Sequence, residues 1–129
     1  MAIDEEIDSA VEAHCNWGES LKRAIDTGIS NMSVETARDN SICKFGQWIY
    51  GDTIPQAAKD LPGYADIVKL HAEFHKRAAE VLQLALAGRK MEALDGLKIT
   101  SEYATNSIML RLSLRTWQID AEKITDVMF

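Results

Sequence analysis

The stretch PGYADIVKLHAEFHKRAAEVLQLALA, residues 62–87, carries the pattern that decides the fold. Its apolar residues recur at spacings of three and four, which places them on one face of an amphipathic helix. They are Ile67, Leu70, Phe74, Ala78, Val81, Leu82 and Ala85. Pro62 suits a helix start, and Gly88 suits a stop. The sequence predicts a long helix over 62–87, with His71 and His75 on or beside its apolar face.

The N-terminal segment shows the same spacing from about residue 3 to residue 27. One polar residue, His14, occupies a position in this apolar series, so its side chain is expected to face the core. Gly28 is a natural end for this helix. The apolar members of the series are Ile3, Ile7, Ala10, Trp17, Leu21 and Ala24.

A short helix is predicted from Asn40 or Ser41, either of which can cap it, to Gly51. Its core-facing and reactive residues are Cys43, Phe45, Trp48 and Ile49. The flanking stretches, 29–40 and 52–61, lack sustained periodicity and are predicted to be connections. Ser33 with Glu35 and Thr36 can start one turn of helix in the first of them.

The last segment, from about Lys90 to near the end, is predicted as one helix with two apolar faces. It first follows Met91, Leu94, Leu97, Ala104 and Ile108, then changes phase to Leu110, Leu114, Trp117, Ala121, Ile124 and Met128. Since a monomeric bundle needs one apolar stripe per helix, the second stripe predicts a homodimer. The alternative is that this end packs on its own bundle. The predicted fold is an all-α four-helix bundle of three long helices and one short one, dimerising.

Composition limits the classes of function. The 129 residues suit one domain over 1–129, and the net charge of −6 disfavours nucleic acid as a partner. The acidic N-terminus is unlike a signal peptide, and no apolar run is long enough to span a membrane, so we expect a cytoplasmic protein. Two cysteines are too few for a disulfide-rich secreted scaffold, which also favours a reducing compartment.

The chain has only three histidines, and the predicted helices place all three towards the core. His71 and His75 are four apart, so both imidazoles can reach one ion from the same helix face. Each buried histidine can instead find its own carbonyl or carboxylate, but a shared cation satisfies all three together. Cys43 supplies a thiolate for a fourth position, and three imidazoles with one thiolate suit tetrahedral Zn²⁺. Cys15 points about 100° away from His14 and is expected to be a small packed thiol.

Three blocks of the sequence together resemble the chemoreceptor zinc-binding domains, called CZB domains, of bacterial chemotaxis receptors and diguanylate cyclases. His14-Cys15-Asn16-Trp17 is similar to the family's His-x-x-Trp. Cys43-Lys44-Phe45-Gly46-Gln47-Trp48-Ile49-Tyr50 is similar to Cys-x-Phe-Gly-x-Trp-Ile, and His71-Ala72-Glu73-Phe74-His75 to His-x-x-x-His. The order and separations also fit, and the resemblance covers essentially the whole chain.

The resemblance implies that His14, Cys43, His71 and His75 are the zinc ligands of a dimeric helical bundle. It also implies that zinc occupancy regulates a diguanylate cyclase or a chemotaxis receptor. The chain contains no such output module, so we expect an excised domain or one that acts on a larger signalling protein. Gly18 departs from the family pattern, which often has lysine or another bulky residue there, and glycine weakens a helix by about 1 kcal/mol relative to alanine.

A zinc ion with four protein ligands has no open position for substrate, which favours sensing or structure over catalysis. The sequence has neither the His-Glu-x-x-His of zinc peptidases nor the Glu-x-x-His of di-iron bundles. We therefore predict a non-enzymatic zinc sensor, with Cys43 as an oxidisable ligand. The alternatives are a structural zinc, a metal-free interaction bundle and, less favoured, a zinc hydrolase in which Cys43 leaves the metal.

Overall fold

The structure is a computed structural model that describes residues 3–41 and 43–128, with side chains over 5–41 and 43–123. Over these ranges the ordered elements are helices, and no strand is present, which confirms the all-α prediction. They are α1 (Ile3–Thr27), α2 (Val34–Arg38), α3 (Lys44–Ile49), α4 (Gln56–Lys59), α5 (Pro62–Leu86), α6 (Lys90–Asp95) and α7 (Glu102–Met128). The long helices α1, α5 and α7 form the body of a bundle.

Helix α5 lies at the centre of the fold, where it packs against α1, α2, α6 and α7. Its predicted apolar face is buried, apart from Leu70, which is half-buried. The helix begins at Pro62 and is followed by Gly88 with a φ of 77°, as the sequence predicts. His71 and His75 are fully buried on this face. Two polar side chains therefore stand inside the core of the central helix.

Helix α1 also confirms its predicted pattern. Ile7, Ala10, Leu21 and Ala24 are buried, and so is His14. Trp17 is half-buried against the core, while the side chain of Ile3 lies outside the described residues. Gly28, with a φ of 74°, follows the last helical residue.

The prediction of one last helix with two apolar faces is wrong. The chain forms α6, turns over residues 96–101 and then begins α7. Within α7 one face is buried from its first turn onward, through Tyr103, Asn106, Leu110, Leu114, Trp117 and Ala121. Ile108, assigned to the first stripe, is instead 38% exposed. The apolar pattern changes phase in the sequence because residues of α6 and of α7 were read as one continuous helix across the turn between them.

This correction removes the reason for expecting a second subunit on that stripe. The indole N–H of Trp117 donates to the carbonyl of Ala58 at 2.9 Å, and its ring packs near those of Trp48 and Tyr64. The stripe therefore packs on its own bundle, and dimerisation stays a prediction. The side chains of Ile124 and Met128 lie outside the described residues.

The two predicted connections contain short helices that the periodicity did not reveal. In the first connection, Ser33 caps α2, since its hydroxyl accepts from the backbone N–H of Thr36 at 3.1 Å. The second connection contains the single turn of α4. The predicted short helix is present as α3, although its N-cap is Cys43 and not Asn40 or Ser41. None of the helices in the described ranges combines the length and hydropathy needed to cross a bilayer.

We predict that Gly18→Ala stabilises the protein by about 0.5–1 kcal/mol. Gly18 lies inside α1, and a Cβ built there meets only the Tyr103 hydroxyl at an ordinary 3.9 Å. Urea denaturation measures the free energy of unfolding. Gly96→Ala is the matched control, because its Cβ would lie 2.9 Å from Cγ2 of Val81, and we expect it to destabilise. A loss of stability in Gly18→Ala would contradict the prediction.

Candidate metal centre

Four residues predicted from sequence meet at one place in the bundle. His14 comes from the middle of α1, His71 and His75 come from adjacent turns of α5, and Cys43 precedes α3. One ring nitrogen from each histidine lies within 4.8 Å of the others, and all three side chains are buried. Among the described residues these three histidines are the one group of three or more His, Cys, Asp or Glu whose ligand atoms lie close enough to share an ion.

Cys43 is positioned by the first turn of α3. Its Sγ accepts a hydrogen bond from the backbone N–H of Gly46 at 3.2 Å and lies 3.4 Å from Nε2 of His71. Gly46 is required here, because a Cβ at that position would overlap the carbonyl oxygen of Asn40. The Cys-x-Phe-Gly segment thus holds the sulfur beside the histidines in two ways. The sulfur caps α3, and Gly46 allows the backbone of Asn40 to pack closely against that helix.

Backbone carbonyls orient two of the three imidazoles. The Nδ1–H of His14 donates to the Ala10 carbonyl at 2.6 Å, and that of His75 donates to the Ala37 carbonyl at 2.8 Å. A neutral imidazole carries one proton, so Nε2 of each ring keeps its lone pair for a metal. Sequence reasoning missed both acceptors. The capping signal at Ser33 predicts the helical turn of α2, which contains Ala37. It does not indicate that the Ala37 carbonyl accepts from His75.

The spacing of the ligand atoms fits a zinc ion. Nε2 of His71 lies 3.1 Å from Nε2 of His75 and 3.4 Å from Sγ of Cys43. Neighbouring ligands of a tetrahedral Zn²⁺ are about 3.3 Å apart for two nitrogens and about 3.6 Å for nitrogen and sulfur. Nδ1 of His71 is buried without a hydrogen-bond partner. Three imidazoles whose ring nitrogens converge beside a thiol are a donor set suited to zinc.

Burial keeps these histidines neutral. Desolvation lowers the pKa of His14 from 6.5 to about 4, and it lowers that of His71 to about 3, with added repulsion from His75 and His14. The pKa of His75 is lowered for the same reason, while burial raises the pKa of the Cys43 thiol. At neutral pH the site therefore presents three neutral imidazoles and a protonated thiol, so metal binding must release the thiol proton.

Aromatic rings surround the histidines edge to face. Phe74 lies 4.5 Å from His14 between ring centroids, Phe45 lies 4.8 Å from His71, and Trp17 lies 5.6 Å from His75. These apolar neighbours exclude water and hold the ring orientations. Trp48 packs on Phe45 and on Trp117, and the Tyr50 hydroxyl donates to Oδ1 of Asn40.

Cys15 lies outside this cluster. Its side chain is exposed, so the expectation of a packed thiol is wrong, whereas the expectation that it points away from the side chain of His14 agrees with the structure. Its position one residue from His14 on α1 directs it towards solvent.

Comparison with known protein families gives one match. The profile described as the chemoreceptor zinc-binding domain matches residues 14–82, just over half of the chain. This range begins at His14 and includes Cys43, His71 and His75. No curated protein and no solved structure matches the chain.

We predict that the metal-free protein loses stability as the pH falls below 6.5. The unfolded chain binds protons on its histidines near that pH, whereas burial holds the folded pKa of His14 near 4 and of His71 near 3. Their stabilising contribution is complete above pH 6.5 and is lost towards pH 3–4, at up to about 1.4 kcal/mol per pH unit for each imidazole.

Urea denaturation of chelator-treated protein at pH 7.5, 6.0 and 5.0 measures this dependence. His71→Leu is the matched control, since carboxylates titrate alike in both proteins and the difference isolates one imidazole. The variant should show the shallower fall. Equal slopes in the two proteins would contradict the prediction for His71.

Proposed function

Because the chain belongs to the chemoreceptor zinc-binding domain family, we propose that it is a sensor domain in which His14, Cys43, His71 and His75 hold one Zn²⁺. The observation that carries this proposal is the buried convergence of the ligand atoms, with Nε2 of His71 3.1 Å from the nitrogen of His75 and 3.4 Å from the sulfur of Cys43. Metal occupancy would then control a signalling output.

Four protein ligands leave no position on zinc for a substrate, which favours sensing over catalysis. The ion would supply a positive charge that holds three helical elements together. Cys43 would give up its thiol proton on binding, and His14 and His75 would keep their ring protons on Nδ1, facing away from the ion. Zinc affinity is therefore expected to fall in acid, where protons compete for the same lone pairs.

The position of Cys43 suggests how occupancy would change the structure. The same sulfur caps α3 through Gly46 and would bind the metal, so α3 is the element most directly coupled to the ion. His71 and His75 stand on the central helix, which packs against α1 and α7. A change at the sulfur would shift α3 against a bundle in which backbone carbonyls hold two of the other three ligands, His14 and His75.

Cys43 is also the ligand that an oxidant would attack. Its side chain is half-buried and lines a cavity of about 280 Å³ with Trp17, Leu21 and Met32. Peroxide or hypochlorous acid would convert the thiolate to a sulfenic acid, with hydroxide or chloride as the leaving group, and weaken metal binding. We propose redox control of zinc occupancy on this basis.

The output and the assembly belong to the same proposal. We propose that the domain acts on a diguanylate cyclase or a chemotaxis receptor, as the resemblance implies, and that it does so as a homodimer. Support for the dimer now comes from a different face of α7 than the sequence suggested. Ile108, Leu112 and Ile119 lie on one side of this helix and are 38%, 59% and 56% exposed.

We predict about one zinc per chain in purified protein, lost in Cys43→Ala. Removing the thiolate takes away one of four ligands, and loss of a ligand weakens binding strongly. Inductively coupled plasma mass spectrometry of protein dialysed against a weak chelator measures the content. Cys15→Ala is the matched control, because this cysteine is exposed and should keep its zinc. Folded wild-type protein without zinc, under zinc-replete conditions, would contradict the assignment.

We predict that the protein remains folded when zinc is removed. Most of the core of α1, α5 and α7 is apolar, and two of the three buried histidines keep their carbonyl partners without a metal. Far-ultraviolet circular dichroism should change little on chelation, whereas hydrogen exchange should rise in α3. Global unfolding on chelation would instead identify a structural zinc.

A further inference from the structure

Two buried polar atoms stand out in the described side chains because neither has a hydrogen-bond partner. They are Nδ1 of His71 on α5 and Oδ1 of Asn106 on α7. An unpaired buried polar atom is costly, so each needs a reason. Asn106 is 8% exposed and His71 is fully buried, so bulk water does not satisfy either atom.

The two orphan atoms belong to neighbouring parts of the α5–α7 contact. The amide N–H of Asn106 donates to the carbonyl oxygen of Leu70 at 3.2 Å. Leu70 directly precedes His71, so this bond sets the Asn106 side chain at the level of the histidine. It also fixes the amide orientation, because the opposite orientation would place Oδ1 against the Leu70 carbonyl. Oδ1 of Asn106 is therefore a committed acceptor.

The hydrogen bonds around His71 indicate which of its ring nitrogens carries the proton. His75 donates its Nδ1–H to Ala37, so its Nε2 can only accept. Nε2 of His71 lies 3.1 Å from this atom and must carry the proton between them. In a neutral ring, Nδ1 of His71 then has a lone pair and no proton. Both orphan atoms are acceptors, and two acceptors cannot pair.

Zinc binding would reverse this arrangement. A metal on Nε2 of His71 would exclude the proton from that nitrogen, and the neutral ring would then carry it on Nδ1. The proton count of the ring is unchanged, since one N–H is lost at Nε2 and one is gained at Nδ1 by exchange with solvent. Nδ1–H is a donor, and Oδ1 of Asn106 is the unpaired buried acceptor at this level of the bundle. Metal-binding histidines almost always donate their second ring N–H.

We propose that Asn106 is a positioning residue for the zinc site, accepting a hydrogen bond from Nδ1–H of His71, directly or through one water, in the zinc-bound tautomer. This inference rests on the proposed function, because it takes His71 as a zinc ligand. It assigns α7 a contact with His71 that forms only when the metal is bound, although α7 supplies none of the four ligands.

Long-range ¹H–¹⁵N correlation spectra of the wild-type protein test the tautomer directly. We expect His71 to carry its proton on Nε2 without metal and on Nδ1 with zinc, while His14 and His75 carry theirs on Nδ1 in both states. An unchanged tautomer of His71 on zinc addition would overturn the inference.

Chelator competition tests the role of Asn106. Asn106→Leu should lower zinc affinity about 10- to 100-fold, because the acceptor for His71 is lost. Asn106→Gln keeps both the amide donor and the acceptor and should retain more zinc affinity than Asn106→Leu. Thr105→Ala, an exposed neighbour on α7, should bind within a few-fold of wild type. The metal-free melting temperature of Asn106→Leu should change little, since the substitution removes the hydrogen bond to Leu70 together with an unpaired buried oxygen. A lowered melting temperature with unchanged zinc affinity would show a merely structural role.

The two hypotheses fail differently. A wild-type protein that binds no zinc overturns the proposed function. Wild-type binding with equal affinity in Asn106→Leu overturns this inference alone. If Asn106→Leu does not fold, the wild-type spectra and the affinity of Asn106→Gln still decide the matter, since weak binding by Asn106→Gln together with an unchanged His71 tautomer contradicts the proposal.

Discussion

The structure depends on burying three imidazole rings in the core of a small helical bundle. An unpaired polar group in such a core costs about 1–3 kcal/mol, so each ring needs partners. His14 and His75 take backbone carbonyls for one nitrogen and direct the other towards the shared centre. His71 has no such carbonyl. Its Nε2 faces the other ligands, and its Nδ1 is buried without a hydrogen-bond partner. The arrangement is complete only when a further donor or cation joins it.

This constraint accounts for the local structure around the site. Cys43 and Gly46 form the first turn of α3, where the sulfur replaces the usual oxygen cap and the glycine lets the Asn40 carbonyl approach. Phe45 and Phe74 enclose the rings, which lowers the local polarity and keeps the histidines neutral. The same features that make protonation unfavourable make a metal-bound, neutral imidazole favourable.

The sequence predicted the parts of the fold whose signals are periodic. The faces of α1 and α5, their glycine ends and the inward direction of all three histidines follow from spacings of three and four. The break between α6 and α7 was missed, because the apolar residues on either side of the turn can be joined into one series. Only packing shows that Tyr103 and Asn106 share a face with Leu110. The carbonyl partners of His14 and His75 were also beyond prediction, since every residue offers a carbonyl.

The end of α2 shows how a helix terminus can set the state of a distant side chain. Had α2 continued by one turn, the backbone N–H of Ser41 would have taken the Ala37 carbonyl as its partner. Ser41 instead donates to the carboxylate of Asp39 at 2.9 Å, which leaves that carbonyl for His75. The length of a five-residue helix thus determines which nitrogen of His75 is protonated. Asp39 is exposed and is not a ligand, but its substitution would free the N–H of Ser41 to compete with His75 for one backbone oxygen.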